Sequence, residues 1–252
     1  MFEILQNITR DFQPTGYQVD SKIDQTKRVT NNHPIVLQAE KELRATDADL
    51  SHFNRDALRN VWSEDSISFT TKYLATLWWG NVGRNYSRVF SKANMDKLQC
   101  MAPRMKQSLS ALTDSHDEDL FRVGLRNVFS QMNRGHLKLS YVGPAFFTKV
   151  LQFFFAAHPV QCRPNFFPVI ADQWMMMAVY CEMTDVGDIA LRDTIFRTSA
   201  NGIRLAGAQA ESYIQYVEYF FNRCVHLEID PWMAEGALFK HKLVKERFQQ
   251  II

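Results

Sequence analysis

Residues 137–155 read LKLSYVGPAFFTKVLQFFF, two apolar stretches joined by a Val-Gly-Pro break, with one lysine, Lys149, on the far side. Gly143 stands where a backbone can turn sharply. Pro144 stands where a new helix can start, since its missing N–H would have no intrahelical partner there. A tight turn therefore feeds a helix N-terminus. The N–H groups exposed at such a terminus favour an anion, and a DNA phosphate is one candidate. An ordinary helix–helix connection would use the same residues.

Working outward, the surroundings read as helices. DEDLFRVGLRNVFSQMNRG carries acids in its first turn and ends in Arg134-Gly135, which suits both ends of a helix macrodipole. PIVLQAEKELRA opens with Pro34 at a first-turn position, and SHFNRDALRNVW follows with Ser51 or Asn54 as its cap. SISFTTKYLATLWWG spaces Ile67, Phe69, Tyr73, Leu74, Leu77 and Trp78 as a helical stripe ended by Gly80, and Ser91 is placed to cap KANMDKLQCM. Downstream, the proline-punctuated HPVQCRPNFFPVIAD leads into QWMMMAVYCEMT. Two long amphipathic helices are then expected around AQAESYIQYVEYFFNRCVHLEI and PWMAEGALFKHKLVKERFQQII, the second capped by Asp230 with Pro231 behind it. Residues 1–33, broken by Pro14-Thr-Gly and NNHP, are expected to form an irregular arm packed on the core. Residues 34–252 are expected to form one helical domain, with its hairpin element at 137–157. The chain reads as all-α.

Composition narrows the setting. At 252 residues and 46% hydrophobic, the chain can bury a sizeable core as one compact unit. No apolar run reaches the roughly 20 residues of a membrane helix, and MFEILQNITRDFQPTG lacks the charged-then-apolar order of a signal peptide. A soluble, cytoplasmic protein is expected, with no membrane partner, acting as a monomer. Cys100, Cys162, Cys181 and Cys224 are scattered, with no CxxC pair, and read as reduced thiols. His136 and His158 flank the hairpin but share no metal-ligand spacing, so no metal is expected. A net charge of +2 neither announces nor excludes a nucleic-acid partner. The chain has no Gly-x-Ser-x-Gly elbow, no Walker loop and no dinucleotide fingerprint.

The opening stretch resembles the helix-hairpin-helix element of the 8-oxoguanine DNA glycosylase and endonuclease III superfamily. Tyr141-Val142-Gly143 matches the second half of a Leu-Pro-Gly-Val-Gly-like hairpin that grips the phosphate backbone. Pro168-Val169-Ile170-Ala171-Asp172 resembles, with two extra residues, the family's Pro-Val-Asp element, whose aspartate is catalytic. VGPAFFTKVLQFF together with PVIADQW looks closest to a divergent bacterial branch with an 8-oxoguanine glycosylase fold. Members of that branch include phage-defence glycosylases that remove glucosylated hydroxymethylcytosine. The specific likeness covers residues 137–180. It implies an all-α, helix-hairpin-helix DNA glycosylase-like fold with helical lobes flanking a DNA-binding cleft. It also implies double-stranded DNA as partner, in particular phage DNA with modified bases, and no cofactor. The clustered cysteines that hold an iron–sulfur cluster in some relatives have no counterpart here.

One departure falls on the helix that would carry the chemistry. In the bifunctional relatives the nucleophilic lysine stands two residues past the last hairpin glycine, where this chain has Ala145. Lys149 lies at i+4 from that position, on the same helix face, so its ammonium could enter the same cleft; contact with phosphate or solvent is the alternative. Cleaving a nucleobase from deoxyribose builds positive charge on the sugar, which a nearby carboxylate stabilises. Asp172 is the candidate, and it is equally placed to cap QWMMMAVY. Phe146, Phe147, Trp78, Trp79 and Trp174 are candidates for holding an extruded base, although aromatics in a helical protein are mostly core. Lys138, Arg84 and Arg88, with the hairpin residues Tyr141, Val142 and Gly143, are the candidate DNA contacts. Two other readings stay open: an 8-oxoguanine repair glycosylase, and a helical DNA-binding module without chemistry.

Overall fold

The structure is a computed structural model that describes residues 17–80, 85–163, 166–199, 202–207, 209–238 and 242–252. Its contacts gather these residues into two compact units, one of residues 17–124 with 131–168 and the other of 125–130 with 169–252. The architecture is all-α apart from one small two-stranded sheet.

The first unit holds α1 (Val19–Thr30), α2 (Pro34–Arg44), α3 (Arg55–Ser63), α4 (Phe69–Trp79), α5 (Tyr86–Val89), α6 (Lys92–Thr113), most of α7 (Glu118–Asn133) and α8 (Pro144–Ala157). Helix α4 is its centre. Phe69 and every residue from Thr71 to Trp79 are buried, and α1, α2, α3, α6 and α8 all pack against it. Its polar side chains are satisfied internally. Trp62 Nε1 donates to Thr76 Oγ1 (2.9 Å), Thr76 donates to the Lys72 carbonyl (2.8 Å), and Lys72 Nζ donates to the Trp62 carbonyl (2.9 Å). Burial lowers the Lys72 pKa from its ordinary value.

Caps set the helix ends. His33, Asn54, Ser68 and Ser91 accept hydrogen bonds from the first turns of α2, α3, α4 and α6, and Asn54 settles the choice left open with Ser51. Helix α6 runs through Pro103 to Thr113, well beyond the stretch that Ser91 was expected to start.

Helix α1 corrects the expectation of an irregular segment before residue 33. Val19, Ile23, Thr26 and Thr30 recur at helical spacing and are all buried, but two of the four are threonines, so the apolar stripe is disguised. Thr26 accepts a hydrogen bond from Trp78 Nε1 (2.8 Å) and pairs with the Tyr86 hydroxyl. Thr26→Val, which keeps the shape and removes the acceptor, is expected to cost about 1–3 kcal/mol by leaving the Trp78 N–H unpaired. Urea denaturation should show a lower midpoint with an unchanged slope.

The second unit is built on α9 (Gln173–Asp185), buried from Met175 to Met183. Around it lie α10 (Ile189–Ile195), the strands β1 (Phe196–Ser199) and β2 (Gly202–Leu205), α11 (Gln209–His226), α12 (Pro231–Leu238) and α13 (Lys242–Ile251). The strands pair antiparallel, Phe196 opposite Leu205 and Ser199 opposite Gly202. The chain's last stretch was expected to be one helix; Asp230 does cap it, accepting from Met233 N (2.8 Å), and the described residues on either side of 239–241 are helical as α12 and α13. Two ion pairs tie α9 down: Arg223 Nε to the buried Glu182 carboxylate (2.6 Å) and Arg247 to Asp185.

Candidate DNA-binding hairpin and active site

The hairpin between α7 and α8 is held by its own alternation. Leu137, Leu139 and Val142 are buried, while Lys138, Ser140 and Tyr141 face out. Asn94, buried on α6, fixes its apex: its Nδ2 donates to the Val89 carbonyl (2.9 Å) and the Ser140 carbonyl (2.8 Å), and its Oδ1 accepts from Ser140 N (3.2 Å). Asn94 is a positioning residue that sequence reading missed, and nothing in KANMDK marks it. The Arg88 guanidinium lies 5.2 Å from the centre of the Tyr141 ring.

The sharp bend does not fall on Gly143, as expected, but on Tyr141. Tyr141 has φ +63°, whereas Gly143 is extended at φ −95°, ψ −176°. What Gly143 supplies is space. A Cβ built there meets nothing within 4 Å, and no side chain caps α8, whose first residue is Pro144. The start of α8 is therefore open to an approaching anion, although the Phe146 and Phe147 N–H groups already donate to the Gly143 carbonyl (2.9 and 3.2 Å) and Pro144 has no N–H. A side chain at residue 143 would fill that approach without straining the backbone. Gly143→Val is accordingly expected to keep the wild-type melting temperature and to weaken DNA binding about tenfold or more, measured by fluorescence anisotropy at constant salt. Unchanged affinity would remove the hairpin from the DNA interface.

On α8, Lys149 is 4% exposed. Its side chain runs back toward the helix N-terminus, as helical side chains do, and Nζ donates to the Ala145 carbonyl (2.8 Å), lying 5.3 Å from the centre of the Phe146 ring. Gly80, at the end of α4, admits it: a Cβ there would meet the Thr76 carbonyl at 3.1 Å, Phe146 Cδ1 at 3.3 Å and Lys149 Cδ at 3.4 Å. Trp79 meets Phe153 edge-on at 5.2 Å, and its Nε1 has no hydrogen-bond partner among the described residues. Gln152, at i+3 from Lys149 on the same face, is fully buried, with both carboxamide atoms likewise unpartnered. A buried amide left in that state calls for an explanation, and sequence reading gave no sign of it.

The remaining candidates divide plainly. Phe146 is half-buried beside Lys149, and Phe147 is buried. Trp78 sits in the core, its N–H given to Thr26 and its ring stacked on Phe90. Lys138 and Arg88 are exposed. Arg84 lies outside the described residues.

In the second unit, Asp172 caps α9, its Oδ1 accepting from Met175 N (3.0 Å), and is 9% exposed. Trp174 is half-buried in the next turn. The chain leading to Asp172 is braced by two tyrosines on α11: Tyr213 donates to the Val169 carbonyl (3.1 Å) and Tyr216 to the Ile170 carbonyl (2.8 Å). Burial, and after it the negative charge of Asp172, holds the Tyr216 hydroxyl well above its usual pKa, so it stays protonated and keeps donating.

Among the described residues no group of three or more His, Cys, Asp or Glu could hold a metal ion, and no helix is long and apolar enough to cross a membrane. The all-α architecture, with a hairpin that feeds α8, is that of an 8-oxoguanine DNA glycosylase-like fold. The family described as "Putative 8-oxoguanine DNA glycosylase OGG-like protein" matches residues 15–239, and the chain belongs to it. No curated protein and no solved structure matches the chain significantly.

Proposed function

We propose that the protein is a DNA glycosylase that binds double-stranded DNA through its hairpin, extrudes a modified base and cleaves its N-glycosidic bond, with Asp172 and Lys149 as catalytic residues. Family membership supports the reaction class. The single observation that carries the lysine's role is its reach: an ammonium bonded to the Ala145 carbonyl sits at the level of the helix turn where the bifunctional relatives place their nucleophile. Asp172 would stabilise the positive charge that develops on the sugar. Its accepted bond from Met175 holds one carboxylate oxygen in a fixed direction. Attack by Lys149 on the anomeric carbon would expel the base and yield a Schiff base open to strand cleavage; water in its place would leave an intact abasic site.

The substrate we favour is a hypermodified phage base such as glucosylated hydroxymethylcytosine, which would make the protein a cytoplasmic, monomeric anti-phage enzyme. The departure from the repair enzymes at Ala145, on the helix that carries the chemistry, supports this reading. Incubation with unmodified, 8-oxoguanine-containing and glucosylated phage DNA, with mass spectrometry of any released base, tests it; release of 8-oxoguanine alone would assign the protein to repair.

Two variants separate the mechanisms. Asp172→Asn keeps a capping side chain and is expected to abolish base release with DNA affinity intact. Borohydride is expected to trap a covalent adduct with the wild type and none with Lys149→Gln, whose single-turnover rate should fall by at least about a hundredfold. An untrappable reaction that proceeds at a near-normal rate in Lys149→Gln would assign Lys149 to binding.

A further inference from the structure

We propose that the exposed ring of Tyr141 is a stacking platform for an unstacked nucleobase of the DNA held by the hairpin; this rests on the DNA-binding reading above. Three observations converge on it. The first is conformational. Tyr141 adopts φ +63°, a left-handed conformation that disfavours any residue with a Cβ and that a glycine would occupy freely. The chain thus keeps an aromatic ring where the backbone asks for none, and such outliers concentrate where a side chain is needed for function.

The second is exposure. Tyr141 is 55% exposed although its neighbours Leu139 and Val142 are buried, so the ring is held out of the core by the same alternation that anchors the hairpin. The third is support. Arg88 lies over the ring at 5.2 Å, and the backbones of Arg88 and Ser140 are tied together by Asn94, which donates to both carbonyls (3.2 and 2.8 Å). A cation lies over the ring, and more than half of the residue remains exposed to solvent.

A preorganised aromatic beside a guanidinium recognises a π face next to a phosphate. In a paired duplex both faces of each base are covered by their neighbours. Only a base that is unpaired, or left without a neighbour by extrusion, offers a free face. That base is the occupant we assign.

The test compares the full-length wild type, Tyr141→Phe and Tyr141→Gly on two duplexes, one fully paired and one with a single unpaired 2-aminopurine. Anisotropy reads affinity and the fluorescence of 2-aminopurine reads stacking. The wild type and Tyr141→Phe should prefer the unpaired duplex and quench its fluorescence. Tyr141→Gly should lose about tenfold more affinity for that duplex than for the paired one, so that the preference disappears, and should lose the quenching. Its melting temperature should be unchanged or higher, since glycine suits the conformation.

Wild-type affinity and quenching in Tyr141→Gly would overturn the proposal. So would a fall of several degrees in its melting temperature, which would make the ring a structural clamp. A wild type that binds both duplexes equally without quenching leaves the DNA reading standing and removes only the stacking. A wild type that binds neither removes both.

Discussion

Helix α4 has almost no solvent-facing side, and the first unit is arranged around that constraint. A helix enclosed by other helices must satisfy its own polar groups inside. Thr76 and Lys72 do so by closing a ring of hydrogen bonds with Trp62. An unpaired hydroxyl or ammonium at that depth would cost on the order of 1–3 kcal/mol or more, a large share of the stability of a typical domain. The end of α4 then sets the position of α8. Gly80 eases the fit of α4 against Phe146 and Lys149, where a Cβ would sit 3.3 Å from Phe146 Cδ1 and 3.4 Å from Lys149 Cδ, so a glycine on another element makes room for the helix that carries the proposed nucleophile.

The hairpin combines a rigid frame with an accessible tip. Its leucines and Val142 are driven inward by the hydrophobic effect, and Asn94 supplies the hydrogen bonds that the turn cannot make with itself. Gly143 contributes by presenting no side chain rather than by adopting a special conformation. The strain in the turn is displaced onto Tyr141.

Asp172 caps α9 and is also the carboxylate proposed for catalysis. Accepting the Met175 N–H holds one oxygen of the carboxylate in a fixed direction. The segment before it is held by hydroxyls from Tyr213 and Tyr216, whose burial keeps them protonated donors. Tyr213 is in turn stacked on Phe129 at 4.4 Å. A carboxylate held by its neighbours in this way requires little reorganisation as charge develops on a sugar.

Much of this was written locally in the sequence. The capped helices, the Gly-Pro start of α8 and the capping role of Asp172 follow from signals that act within one or two turns: hydroxyl and amide caps, first-turn prolines and apolar spacing. The small sheet was missed because its strands are short and β1 is largely exposed. Helix α1 was missed because the threonines on its buried face look polar until Trp78 and Tyr86 arrive to bond them. The lysine's helix face was legible, but not its burial, with Cδ close to Gly80 of a distant segment. The clamp of Asn94 on Ser140, 46 residues away, and the buried carboxamide of Gln152 were likewise decided by the tertiary structure alone. Local rules fix which residues share a helix and a face. Which faces meet is settled by packing between segments far apart in the chain, and such contacts leave no periodicity to read.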